Sequence, residues 1–295
     1  MNGTQNMQEI KQPISHCGVL YIAFGEAFRN EARRSIASLR RSSPAIPVAV
    51  VTDSEWDCEP RPDHFILRPH IPGFACKPAY IRETPFEATL YVDTDTVFAR
   101  DVRKIFGLLR HYDIGVSFEG PQLNEPDGLE LHTQCGSGVI LYLKSPQIWD
   151  VFDRWRVYHQ TAAIALEQTH TWDHRGLGDQ RFLAVAIARS RVRPVHLTTY
   201  LQFVLFNVTT AYSPPIIYHG RVPEMELLDS FISSRWTAFD DCHPRLWLPQ
   251  IRGLLPMGSR RSDPILALAL VVRRLWNELR WRVARVLGGA KKSKP

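Results

Sequence analysis

Short apolar runs alternate with stretches of helical periodicity along the first two-thirds of the chain. Gly18–Gly25 (GVLYIAFG) reads as a buried strand. From Glu26 to Arg41, Phe28, Ala32, Ile36 and Leu39 recur at helical spacing, with Arg and Glu on the opposite face. Pro47–Thr52 (PVAVVT) is a second apolar run, ending at Asp53. Strand, helix and strand in that order predict a right-handed βαβ unit and a sheet covered on both faces. A third strand is expected at Phe65–Leu67, a short helix around Lys77–Arg82, and a strand at Ala88–Val92 running into Asp93-Thr94-Asp95. Asp101 has the position of an N-cap for a helix over Val102–Arg110. Strands follow at Ile114–Phe118 and Gly138–Leu143. Ser145-Pro146 opens a helix to about Ala165, Gly178–Arg189 reads as a helix, and Ile216–Tyr218 as a strand ending at His219-Gly220-Arg221.

The chain ends differently. Residues 246–263, with prolines, glycines, Arg252, Arg260 and Arg261, read as a linker. From Val272 a helical projection puts Leu275, Trp276, Leu279, Val283, Val286 and Leu287 on one face. Arg273, Arg274, Arg280, Arg282 and Arg285 fall on the other. Such a helix suits the surface of an anionic membrane, or packing on the body or on a second subunit. The apolar run Ile265–Val272 is far short of the roughly 20 residues that a spanning helix needs.

Charge sharpens this division. The 295 residues carry 36 Lys+Arg against 30 Asp+Glu, a formal +6. Residues 273–294 hold eight basic side chains and one acid, or +7, which leaves the rest of the chain at −1. The basic character therefore belongs to the tail, and no nucleic-acid partner is expected because the body lacks a matching basic face. Met1–Gln12 has no apolar core of a secretory signal. The five scattered cysteines (Cys17, Cys58, Cys76, Cys135, Cys242) form neither a disulfide framework nor a C-x-x-C pair, and are expected to be small packed residues in a reducing cytoplasm.

Asp93-Thr94-Asp95 is informative for its place rather than its composition. It leaves the carboxyl end of a buried strand, where open α/β sheets bind ligands. Two adjoining carboxylates repel unless a cation lies between them, and a hard divalent ion there can neutralise a departing diphosphate. The plainer alternative is a turn capped by the two acids before Asp101.

In order, a first strand Val19–Phe24, a Lys77-x3-Ile81 stretch, Phe86-x3-Leu90-Tyr91-Val92-Asp93-Thr94-Asp95-Thr96, Gly136-Ser137-Gly138-Val139, Gly178-Asp179-Gln180 and a late His219 resemble the GT-A glycosyltransferases, most closely the family 8-like nucleotide-sugar transferases. The resemblance spans about residues 18–222. It implies an α/β fold with a Rossmann-like, mostly parallel central sheet, helices on both faces and a C-terminal amphipathic helix. A catalytic domain would cover 15–245, followed by a linker (246–263) and a basic tail (264–295).

It further implies that Asp95 and His219 bind Mn²⁺ or Mg²⁺, the imidazole favouring Mn²⁺, and that Asp93 faces the ribose of the donor, with the metal as a second role for it. Ala23 and Phe24 would line the base of a nucleotide-diphosphate sugar, a UDP-sugar by preference, with Thr52 and Asp53 at the next strand end. Lys77, Thr94, Ser137, Gly138 and Arg221 would adjoin the donor, with Arg221 standing where the family has a lysine. Ser137 or Gln134 would replace a family asparagine that is Gly136 here. Asp179 and Gln180 would hydrogen-bond the sugar in the catalytic position, although Asp179 is equally placed to be an N-cap and Lys77 to be a solvated surface lysine. Transfer would retain configuration. The acceptor would be a glycan or lipid-linked molecule at the cytoplasmic face of a membrane. Trp172, Asp173 and His174 would belong to an acceptor loop, or simply pack. A nucleotidyltransferase or a non-catalytic membrane-bound scaffold are the competing readings.

Overall fold

The computed structural model describes residues 16–57, 59–121, 133–169, 178–198, 201–204, 209–211, 214–221, 245–248 and 253–256. In chain order the elements are β1 (Cys17–Ile22), α1 (Gly25–Ser42), β2 (Val48–Thr52), β3 (His64–Leu67), α2 (Cys76–Tyr80), β4 (Ala88–Val92) and β5 (Thr96–Phe98). A 3-10 helix, Arg103–Arg110, precedes β6 (Ile114–Pro121), β7 (Thr133–Leu143), α3 (Pro146–Thr169) and α4 (Gln180–Ala188). The short strands β8 (Pro194–His196), β9 (Gln202–Val204), β10 (Thr209–Ala211), β11 (Ile217–His219), β12 (Arg245–Leu248) and β13 (Gly253–Pro256) follow.

The central sheet has the order β3-β2-β1-β4-β7-β6-β8. Every neighbouring pair is parallel except those made by β7, which runs against β4 and β6. This is the mostly parallel, Rossmann-like sheet expected from the alternating strand and helix signals. Period-two alternation divides its side chains between two cores. Leu20, Ile22, Ala49, Val51 and Tyr91 face one core, closed by Ile148, Phe152 and Trp155 of α3 and Phe182, Leu183, Ala186 and Ile187 of α4. Val19, Tyr21, Val48, Val50, Leu90 and Val92 face the other, closed by Ala32, Ile36 and Leu39 of α1 and Ile105, Phe106 and Leu109 of the 3-10 helix.

Several expectations shift. Phe28 does not join the core face of α1: it is 46% exposed, and Ser35 and Ser38 are buried in that face instead. The helix after Asp101 is a 3-10 helix from Arg103 whose N-cap is Val102 and not Asp101; Asp101 stands one residue earlier, its Oδ1 accepting the Arg103 backbone N–H at 3.0 Å. Ser145 caps α3 through Ile148 N–H at 3.3 Å. Part of the stretch read as a linker is ordered into β12 and β13, which pair antiparallel with each other and with β10. Cys135 is buried, and Cys17 and Cys76 are half-buried. No helix among the described residues is long and apolar enough to cross a membrane. The amphipathic tail, 264–295, and the loop with Trp172, Asp173 and His174 lie outside the described residues.

Candidate functional site

The parallel strands β1, β2 and β4 all end at one edge of the sheet, which brings Ala23-Phe24, Thr52-Asp53 and Asp93-Thr94-Asp95 together. β7 supplies the remaining wall: its Gly138 carbonyl accepts the Asp93 backbone N–H at 2.7 Å, which places Ser137 and Gly138 beside the acidic turn. β11 completes the arrangement by pairing antiparallel with β5, so that His219 stands directly opposite Thr96. The Gly220 N–H then bonds the Asp95 carbonyl at 3.0 Å.

Asp93, Asp95 and His219 consequently present one ligand atom each, all within 4.8 Å of one another. His219 Nε2 lies 3.6 Å from Asp93 Oδ2 and 3.4 Å from Asp95 Oδ1. The ring sits where a Cβ on residue 138 would be. An atom built there would lie against Cε1 and 2.6 Å from Nε2, so glycine at 138 makes room for the imidazole itself. Burial lowers the His219 pKa, but hydrogen bonds and charge from Asp93 and Asp95 outweigh it and push the group up to about 9. An imidazolium between two carboxylates is electrostatically a proton occupying a cation site. Two carboxylate oxygens and one imidazole nitrogen converging on such a point form a donor set that fits Mn²⁺ or Mg²⁺, and the nitrogen favours Mn²⁺.

Beside this group lies a second, deeper network. The Lys77 side chain is 8% exposed, and its Nζ is 2.9 Å from Asp93 Oδ1 and 3.4 Å from Asp179 Oδ2. The ammonium also donates to the Ser137 carbonyl (3.2 Å) and Oγ (3.1 Å). Burial lowers the pKa of this lysine, but Asp179 and Asp93 more than reverse that and hold it charged. Burial likewise raises the Asp93 pKa, and Lys77, His219 and Tyr91 overcome it to hold the carboxyl well below the usual range. Lys77 is thus no solvated surface lysine but the counter-charge between two acids.

Asp179 precedes α4 at the N-cap position, yet its side chain makes no capping hydrogen bond. Oδ1 instead accepts the Ser137 hydroxyl at 2.9 Å, and Trp155 Nε1 holds the Asp179 carbonyl at 2.9 Å. Asp179 Oδ2 has no hydrogen-bond partner although Asp179 is 2% exposed, the one such buried side-chain atom among the described residues. Its 3.4 Å approach to Lys77 is an ion pair without hydrogen-bond geometry. A buried acceptor left in this state invites an explanation, and a ligand hydroxyl supplies one.

The other residues expected at the site are placed less centrally. Phe24 is buried, stacked on His70 at 5.3 Å between ring centres and tilted against Tyr80. Ala23 is fully buried on the opposite side of β1, and Thr52 is buried with its hydroxyl bonded to the Ser54 carbonyl. Asp53 accepts the Gly25 N–H, where φ is +76°, and pairs with Arg29 at 2.5 Å. Burial raises the Asp53 pKa, and those contacts bring it net downward. Gln180 opens α4 half-buried. Thr94 directs its hydroxyl away from the acids, to Glu31 Oε2 at 2.7 Å, and Arg221 Nε meets Glu31 Oε1 at 2.8 Å.

Sequence reasoning missed Tyr91 and Glu31. Tyr91 donates its hydroxyl to Asp93 Oδ1 at 2.5 Å and reads in sequence only as a strand core residue. Glu31 lies on the face of α1 taken as solvated.

No protein-family model and no curated protein matches the chain. Solved structures similar to it include the galactosyltransferase LgtC in complex with donor and acceptor sugar analogs, 11% identical, covering 75% of this chain and 99% of that one, with a TM-score of 0.45. Mouse xyloside xylosyltransferase 1 in its apo form is 14% identical over 70% of this chain and 99% of its own, TM-score 0.43. The glycosyltransferase GlyE in Streptococcus pneumoniae TIGR4 is 14% identical over 77% and 64%, TM-score 0.44. Likenesses of this degree carry no functional argument, and the activity rests on the residues themselves.

Proposed function

We propose that this protein is a metal-dependent glycosyltransferase that moves a sugar from a nucleotide-diphosphate sugar, a UDP-sugar by preference, to a glycan or lipid-linked acceptor. One observation carries the reading: Asp93, Asp95 and His219 converge within 4.8 Å at the carboxyl edge of a mostly parallel sheet. That edge is where α/β folds take up nucleotides. The bound Mn²⁺ or Mg²⁺ would supply neutralising charge for the diphosphate as its bond to the sugar breaks.

The chain's own residues then divide the task. Asp179 Oδ2, buried and unbonded, takes a donor-sugar hydroxyl, and Gln180 beside it takes a second. Lys77, with its Nζ 3.4 Å away, is the counter-charge to Asp179. Arg221, with a permanent charge near the acidic turn, faces the diphosphate, and Phe24 and Asp53 border the nucleoside end with Ala23 and Thr52 behind them. In a retaining transfer the acceptor oxygen bonds to the anomeric carbon, the carbon–oxygen bond to the diphosphate breaks on the same face, and the acceptor proton passes to the departing diphosphate. No enzymic base is needed. The basic tail would hold the enzyme at the cytoplasmic face of a membrane, near lipid-linked acceptors.

The test is a panel of nucleotide sugars with Mn²⁺ and the full chain. Release of nucleoside diphosphate is the expected result. Release of pyrophosphate would make the protein a nucleotidyltransferase, and no turnover together with UDP binding unaffected by Asp95→Ala would overturn the metal assignment.

A further inference from the structure

We infer that Glu31 is a positioning residue for the metal site, joining its two halves to helix α1. The inference rests on the reading that Asp93, Asp95 and His219 hold a divalent cation. Those ligands come from two separate segments: the turn after β4 and the end of β11. Glu31 touches both. Its Oε2 accepts the hydroxyl of Thr94, the residue between the two aspartates, at 2.7 Å. Its Oε1 receives Arg221 Nε, two residues beyond His219, at 2.8 Å. The Arg221 guanidinium continues over the Phe28 ring, 5.7 Å from its centre, one turn earlier on the same helix.

The attachment is part of a longer seam. One helical turn after Glu31, the Ser35 hydroxyl lies 2.9 Å from Thr96 Oγ1, which in turn donates to the Asp93 carbonyl at 2.8 Å. Tyr21 closes this chain from β1, 2.9 Å from Ser35 Oγ. Ser38 Oγ next accepts the Phe98 N–H at 2.9 Å. Helix positions 31, 35 and 38 thus meet strand positions 94, 96 and 98, the helical period matched to the strand period. Drawing Thr94 and Thr96 towards α1 leaves Asp93 and Asp95 facing His219.

Both oxygens of Glu31 are engaged, its side chain is 15% exposed, and it orients ligands without being one. Groups hydrogen-bonded to metal ligands commonly carry a 10- to 100-fold share of affinity, and Glu31, which holds the residues adjoining the ligands, belongs at the lower end of that range.

Mn²⁺ titration of the full chain, followed by the EPR signal of free Mn²⁺, tests this. Glu31→Gln, nearly the same size and so expected to fold, should weaken Mn²⁺ binding by about 10-fold, and Glu31→Ala by more. Glu26→Ala, exposed on the same helix, should leave the affinity unchanged. A merely structural Glu31 would lower the melting temperature of the metal-free protein and leave Mn²⁺ affinity intact. Unaltered affinity in both Glu31 variants therefore overturns the inference. If the unsubstituted chain bound Mn²⁺ no better than Asp95→Ala, the metal reading itself would fail, and the inference with it.

Discussion

A single missing methyl group decides how His219 reaches the acids. The sequence marks Gly138 as room for a ligand, while in the fold its open side is filled by the imidazole, with ring nitrogens 2.6 and 2.8 Å from where a Cβ would stand. Gly138→Ala must push the ring away from Asp93 and Asp95. Mn²⁺ affinity should fall by about 10-fold or more, measured by the same titration, while the buried strand β7 keeps the fold. Lys77 offers a different kind of test, because it neutralises the buried Asp179 and the partly buried Asp93. Lys77→Met should destabilise the protein by about 3 kcal/mol in urea unfolding, the usual scale for leaving a buried charge without its partner. A loss below about 1 kcal/mol, the range of exposed pairs, would show that Asp93 and Asp179 are solvated. Asp93, Asp95, His219 and Asp179 were legible at this scale because each stands next to an element boundary in a recognisable order. Tyr91 and Glu31 were not, because the chemistry of each depends on a partner that the pattern of one segment does not reveal. A strand tyrosine two residues before an aspartate and a helix glutamate are ordinary in isolation.

At the scale of elements, the long apolar strands were readable, as were the short β3 and β11, while β5 and β8 were not. β1, β2, β4 and β7 announce themselves by continuous burial, as strands covered on both faces do. β5 and β8 have three residues each, too few to establish a period, whereas the equally short β11 was read from Ile216–Tyr218 running into His219; β5 takes its place through its hydrogen bonds to β11. Helix α1 shows the same limit from another side. Its apolar positions predicted the buried face, but Ser35 and Ser38 inside that face take their burial from Tyr21, Thr96 and Phe98, which are distant in sequence. Conversely Phe28, apolar and in phase, stays exposed, with the Arg221 guanidinium rather than a core residue over its ring.

The 3-10 helix carries a prediction of its own. Asp101 is drawn down to about 2, chiefly by the Arg103 side chain with help from the Arg103 N–H and Ser43, against a small opposing effect of burial. The folded state therefore binds this proton more weakly than the unfolded chain. The contribution of the Asp101 carboxylate to stability is fully present above the ordinary aspartate value of about 4 and is lost as pH falls through about 2. Asp101→Ala should cost about 1 kcal/mol at pH 7, and the gap between variant and parent in urea midpoints should narrow from pH 4 to pH 3. A gap independent of pH would mean that the carboxylate charge takes no part in holding Arg103.

For the whole molecule, the decisive quantity is where the charge lies rather than its total. The tail of +7 in residues 273–294 is attached to a body near neutrality at −1. A body so balanced has little long-range attraction for an anionic surface, whereas clustered Arg and Lys each contribute about 1 kcal/mol close to anionic lipid. Tryptophans at 276 and 281 suit the headgroup level of such a surface. The full chain should accordingly sediment with phosphatidylserine-containing vesicles and far less with neutral phosphatidylcholine ones. Its binding should weaken as salt rises, since a Debye length of about 10 Å at 0.1 M shrinks to about 3 Å at 1 M. A chain ending at Ser262 should stay in the supernatant with both lipids while keeping the Mn²⁺ affinity of the parent, because the ligands all precede residue 222. Sedimentation of the shortened chain with anionic vesicles would move the attachment to the body. Loss of Mn²⁺ affinity on shortening would instead make the tail part of the catalytic unit, packed on the domain it follows.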